Sequence, residues 1–176
     1  MRRIQIARPF INNDDIQGVV NVLRSGWLSL GPKYKEFEES LAKYVGVKYA
    51  CAVSSGTAAL HLGVRALGLQ AGDEVITSPF SFVASANVLL YEDVKPVFSD
   101  IEEITFNMDP TLIERAITSK TKAILPVHIF GQSADMKEIL EIARKYNLKI
   151  LEDSCESLGA TYNGRKVGTT GDICTY

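Results

Sequence analysis

The chain has 176 residues, 46% hydrophobic and 23% charged, with a formal net charge of −2. This composition describes an ordinary soluble globular protein with enough length for one sizeable core. No basic run is present, so neither a nucleic acid nor an anionic membrane is expected as a partner.

Asn12 or Asn13 caps a predicted helix whose apolar positions Ile16, Val19, Val20 and Leu23 fall at i, i+3, i+4 and i+7, and Gly26 stops it. Residues 27–32 are loop. A second helix carries Tyr34, Phe37, Leu41 and Tyr44 on one face and stops at Gly46. Strand 49–53, helix 56–68, a turn at Ala71-Gly72-Asp73 and strand 74–78 follow, then helix 81–91 and strand 94–99. Helix 110–118, strand 122–129, helix 134–146 and strand 148–153 continue the alternation. Such βα units with short connections predict an α/β fold, a largely parallel sheet with helices on both faces. "YNGRKVG" predicts a hairpin turning at Asn163-Gly164, and "GDICTY" reads as a strand that has just begun. Residues 1–32 are taken as an amino-terminal helix and arm, and residues 33–176 as the main domain.

The start Met1-Arg2-Arg3 is basic, but no apolar signal-peptide core follows it, and no apolar run is long enough to span a bilayer. Three cysteines (Cys51, Cys155, Cys174) without CxxC spacing suit reduced structural thiols better than metal ligands, and a cytoplasmic location is expected.

In open parallel sheets, ligands sit beyond the carboxyl ends of the strands, and three such ends are chemically loaded. In "CAVSSGTAALHLGVRAL" a Ser-Ser-Gly turn opens a helix at Thr57. Free N–H groups at a helix start, a glycine and flanking hydroxyls make an anion site suited to one phosphate. It matches neither GxGxxG nor GxxxxGKS, which disfavours a dinucleotide or nucleoside triphosphate; a capped helix with nothing bound is an equal alternative. In "TSPFSFVASANVLL", Phe80 and Phe82 occupy the turn after a strand, where an aromatic ring is either core or a platform for a planar ligand. Local pattern alone favours the core. In "KILEDSCESLGATY" the strand ends on Glu152 and Asp153, which point to opposite faces, and periodicity does not say which of them faces a ligand. A buried carboxylate needs a cation or several donors. A phosphate site, a stacking ring and a buried carboxylate together suit pyridoxal phosphate, whose protonated pyridine nitrogen supplies the cation.

With these motifs assembled, the chain resembles the amino-terminal part of the DegT-type nucleotide-sugar aminotransferases, pyridoxal-phosphate enzymes of the aspartate-aminotransferase fold (fold type I). The resemblance runs from "SGWLSLGPKYKEFEESLAKYVG" through "PFSFVASAN" and "TKAILPVHIFGQSADM" to "LEDSCESLGATYNGRKVGTTGD". It implies that Ser55, Gly56 and Thr57 surround the cofactor phosphate, that Phe82 stacks on the ring, and that Asp153 rather than Glu152 meets the pyridine nitrogen. Glu156 stands where most members carry Gln or His, and an ionised glutamate has no proton to donate to the ring oxygen. Trp27, Ser29, His128 and Gln132 are candidates for the sugar pocket, with loop packing or core hydrogen bonding as the alternative. The family's Schiff-base lysine and its small carboxy-terminal domain are expected beyond Tyr176, so residues 1–176 alone are expected to be inactive. For the whole protein the resemblance implies amino transfer, with glutamate as donor, to a nucleotide-linked keto-deoxy sugar, by a homodimer. A sugar 3-dehydratase of the same fold and a non-catalytic relative are the alternatives.

Overall fold

The computed structural model describes residues 7–176, and the basic Met1-Arg2-Arg3 start lies outside the described residues. Helix α1 (Asn13–Ser25) begins at Asn12, whose side chain accepts from the N–H groups of Asp14 and Asp15 at 2.8 and 3.0 Å, while Asp15 accepts from Asn12 N at 2.9 Å. This reciprocal capping satisfies donors that a helix start otherwise leaves open. Helix α2 (Pro32–Val45) starts on a proline, which has no N–H to lose, and ends at Gly46 with φ 92°. The α1 helix buries none of its residues, although its apolar positions fall on one face.

The main body alternates as expected: α3 (Gly56–Ala66), β1 (Glu74–Thr77), α4 (Ala84–Leu90), β2 (Lys95–Phe98), α5 (Pro110–Ala116), β3 (Thr121–Leu125), α6 (Met136–Tyr146) and β4 (Lys149–Asp153). A hairpin of β5 (Thr161–Tyr162) and β6 (Arg165–Lys166) turns at Asn163 and Gly164, both in the left-handed region, and β7 (Ile173–Thr175) follows. Five strands form one sheet in the order β2-β1-β3-β4-β7, every pair parallel.

Alternation along the strands divides the interior into two layers. Val75, Ala123, Leu125 and Leu151 pack with Leu60 and Val64 of α3 and Val88 and Leu89 of α4. On the opposite face, Ile76, Ile124 and Ile150 pack with Ile113 of α5 and Ile139 and Ala143 of α6. Helix α3 lies close on the sheet at Gly63, where an added Cβ would stand 2.7 Å from a methyl of Leu151.

One expected strand is absent. Residues 49–53 are not a strand, because no neighbouring strand among the described residues supplies a ladder. Side chains of α2 satisfy the backbone there instead. The Glu38 carboxylate accepts from Ala52 N at 2.8 Å, and the Tyr34 hydroxyl donates to Ala52 O at 2.7 Å. The expected strand 122–129 is also shorter, ending at Leu125, with Val127 forming only an isolated bridge to Asp153. No helix among the described residues is long and apolar enough to cross a membrane.

Candidate functional site

The adjacent carboxylates at the end of β4 are both buried, with opposite surroundings. Glu152 meets five donors. Oε1 accepts from Thr170 N and Thr170 Oγ1, both at 3.1 Å, and from Gly171 N at 2.5 Å; Oε2 accepts from Gly168 N and lies against His128 Nε2, both at 3.1 Å. Since His128 Nδ1 accepts from Ala134 N at 3.0 Å, the bonding pattern assigns the ring proton to Nε2, which donates to Glu152. Burial pushes the Glu152 carboxyl up, but the His128 ring and the N–H groups of Gly171 and Thr170 outweigh it and hold it below the ordinary carboxylate value. Its charge is fully met within the protein.

Asp153 is not so provided. Its backbone is tied to the segment after β3, with Asp153 N donating to Pro126 O and His128 N donating to Asp153 O, and pairs with Thr175 of β7 on the other side. Among the described residues its carboxylate receives two hydrogen bonds, from Ser85 Oγ to Oδ2 at 2.9 Å and from Cys155 N to Oδ1 at 3.3 Å. An ionised carboxylate offers about four acceptor positions. Asp153 is 6% exposed, so water does little to fill the remainder.

The start of α3 is beside this turn. An added Cβ on Gly56 would stand 2.6 Å from Cys155 Sγ, so only glycine lets the helix start come this close. Ser55 caps the helix, its Oγ accepting from Ala58 N at 3.1 Å. The N–H groups of Gly56 and Thr57 lie in the first turn, where no intrahelical acceptor exists. The helix start and its partial positive charge therefore adjoin the turn that carries the under-supplied carboxylate. Cys155 is exposed, but partial burial of its thiol, reinforced by Asp153, pushes it up to about 12, and burial raises Cys174 to about 12. Neither thiol is activated, and no disulfide links any of the three cysteines.

The aromatic residues depart from the expected core placement. Phe82 is 73% exposed and Phe80 is 41% exposed in the turn between β1 and α4. Phe80 packs against Phe106 and Phe130, with ring centroids 5.5 and 6.0 Å away. Phe106 and Phe130 both adopt positive φ, 62° and 53°, a strained choice for bulky residues. Buried Asn107 ties their two loops together, accepting from Ile129 N at 3.1 Å and donating to Gln132 O and Ser133 O at 3.3 Å.

Several expected site residues are used elsewhere. His128 is wholly buried with both ring nitrogens bonded inside the protein, so it is a core residue and not a pocket wall. Glu156 turns to the loop after β3, its Oε2 accepting from Phe130 N at 2.7 Å. Gln132 is exposed on the edge of a groove of about 680 Å³ shared with Asn107, Ser133, Asp135 and Tyr162, which includes neither Gly56 nor Asp153. Trp27 and Ser29 are exposed in the arm, where the Trp27 ring lies over Gly31. No side-chain hydrogen bond among the described residues joins either of them to the strand ends. Ser85 and Asn107 are the residues that sequence reasoning missed. The available signal for Ser85 is a hydroxyl in an otherwise apolar helix start.

The family model described as the DegT/DnrJ/EryC1/StrS aminotransferase family matches residues 9–176. The spore coat polysaccharide biosynthesis protein SpsC of Bacillus subtilis is 47% identical over 168 residues, 96% of this chain and 43% of that protein. GDP-perosamine synthase of Caulobacter vibrioides is 44% identical over 175 residues, 99% of this chain and 47% of that enzyme. Among solved structures, NtdA of Bacillus subtilis with bound cofactor PMP superposes with a TM-score of 0.86 at 41% identity, over 98% of this chain and 41% of that one. The chain thus spans under half the length of the relatives it matches.

Proposed function

The chain belongs to the DegT/DnrJ/EryC1/StrS aminotransferase family, and on that premise we propose that it forms the cofactor-binding part of a pyridoxal-phosphate enzyme that transfers an amino group to a nucleotide-linked keto-deoxy sugar. Glutamate is the proposed donor. The architecture is that of the fold type I aminotransferases, which its structural relatives share. One observation carries the assignment: of two adjacent buried carboxylates, Glu152 collects five donors among the described residues and Asp153 two. A buried carboxylate so placed at a strand end is suited to a cationic partner, and a protonated pyridine nitrogen fits the role.

Pyridoxal phosphate, when bound, supplies an electron sink that carries the amino group between donor and acceptor. The protein residues bind and orient it. The N–H groups of Gly56 and Thr57, with Ser55 beside them, hold the phosphate at the start of α3. Exposed Phe82 would lie against the ring, and Asp153 would hold a proton at the ring nitrogen. Glu156, whose Oε2 accepts from Phe130 N, positions the neighbouring aromatic loop rather than the ring. The unburied apolar face of α1, with Val19 and Leu23 about 60% exposed, supports a homodimer in which this face is covered.

The test is Asp153→Asn in the whole protein. Cofactor should still bind through its phosphate, while turnover falls at least about a hundredfold, or roughly 3 kcal/mol at 1.4 kcal/mol per factor of ten. Normal turnover in that variant, or a parent protein that takes up no pyridoxal phosphate, refutes the assignment.

A further inference from the structure

Asp153 is held by a chain of hydroxyls that leads in from the surface. Ser85 is buried in the first turn of α4, and its Oγ donates to Asp153 Oδ2 at 2.9 Å across 68 residues of sequence. A serine hydroxyl has one proton, and here it is spent on the carboxylate. The contact between Ser81 Oγ and Ser85 Oγ, 2.8 Å, must therefore run from Ser81 to Ser85. The chain has one direction: half-buried Ser81 donates to buried Ser85, which donates to Asp153. Ser81 directly precedes Phe82, the ring proposed to lie on the cofactor.

The main chain of Asp153 is clamped on both sides, so its only freedom is rotation of the side chain. Cys155 N holds Oδ1 at 3.3 Å, a long bond that restrains the rotation weakly. Ser85 makes the shorter contact, and it comes from a different layer of the fold. We infer that Ser85 is a positioning residue: its hydroxyl, oriented by Ser81, fixes the plane of the Asp153 carboxylate so that a remaining lone pair is aimed at the cofactor's ring nitrogen. The inference rests on the cofactor site proposed above. Partners that orient a residue from behind commonly influence a site about as much as a weak direct contact does.

A merely structural serine would alter stability and leave the chemistry alone, so the test separates the two. In the whole protein, Ser85→Ala, Ser85→Thr and Ser81→Ala are compared for kcat, KM of the amino donor, melting temperature and the pH dependence of bound-cofactor absorbance. Ser85→Ala should lower kcat about 10- to 100-fold with KM little changed, and should shift the absorbance titration. Ser85→Thr keeps the hydroxyl and should restore both. Ser81→Ala should produce a smaller loss of kcat in the same sense, and it carries the test if Ser85→Ala does not fold. A lowered melting temperature with unchanged kcat and unchanged absorbance titration overturns the inference, as does Ser85→Thr behaving like Ser85→Ala. A parent protein that takes up no cofactor overturns the site itself, whereas normal uptake with an indifferent Ser85→Ala overturns this inference alone.

Discussion

Replacing Glu152 by glutamine should damage the fold more than the chemistry. The two side chains have nearly the same shape, but an amide has one acceptor oxygen where the carboxylate has two. If the amide oxygen takes the place of Oε1, it keeps Thr170 N, Thr170 Oγ1 and Gly171 N, and the NH₂ group then confronts Gly168 N and the ring N–H of His128. His128 cannot change tautomer freely, because its Nδ1 already accepts from Ala134 N. The opposite amide orientation strands two N–H donors as well, those of Thr170 and Gly171, since the Thr170 hydroxyl can turn to accept from the NH₂ group. Each buried donor left without an acceptor costs about 1–3 kcal/mol, so a loss of roughly 3–5 kcal/mol is expected, a large part of the ~5–15 kcal/mol that holds a typical domain together. Denaturant unfolding of the whole protein measures it, provided the slope is unchanged between parent and variant.

The same substitution should change the acid limb. Glu152 has its pKa lowered on folding, so it contributes stability that is present above its unfolded value, about 4.3, and is lost as pH falls through the lower folded value. The parent should therefore lose stability on acidification below that point more steeply than Glu152→Gln. A variant within about 0.5 kcal/mol of the parent at neutral pH, the margin of an ordinary surface change, would refute the argument that this buried charge is met by these five donors.

Two further substitutions probe the site's supports. Gly56→Ala places a methyl against Cys155 Sγ and should cost about 1–3 kcal/mol as overpacking and weaken cofactor retention; adding Cys155→Ala should recover much of that loss, and strictly additive effects in the double-mutant cycle would refute the contact. Asn107→Ala leaves Ile129 N without its acceptor and frees the carbonyls of Gln132 and Ser133, so a loss of about 2–3 kcal/mol should accompany faster amide exchange around Phe106 and Phe130, and unchanged exchange there would count against Asn107 as the tie.

Most of the βα alternation was legible because each element has its own local signature. Asn12 and Gly26 mark the ends of α1, and the NG turn places the hairpin. Residues 49–53 carry an equally good local pattern, yet a strand exists only where another strand pairs with it, and that condition lies elsewhere in the chain. The site shows the same division. Strand periodicity separates Glu152 from Asp153 but does not rank them; the ranking depends on Gly168, Thr170, Gly171, His128 and Ser85, contributed by distant segments. His128 is a candidate contact because it stands at an expected strand end, but its ring turns inward to Glu152. The exposure of Phe82 was not legible in the local pattern, since nothing local distinguishes an exposed ring from a core one.

The tethering of residues 49–53 by α2 gives the two ends of the proposed cofactor site unequal stiffness. Asp153 is bonded through its backbone to β7 on one side and to Pro126 and His128, around the bridge at Val127, on the other, whereas the segment leading into Ser55-Gly56-Thr57 hangs at Ala52 from the side chains of Tyr34 and Glu38. Side-chain tethers on a helix surface open more readily than interior ladder bonds. A ligand bridging the two ends would brace the compliant one against the rigid one, and its stabilising effect would be concentrated in α2 and the start of α3, with little felt at β4.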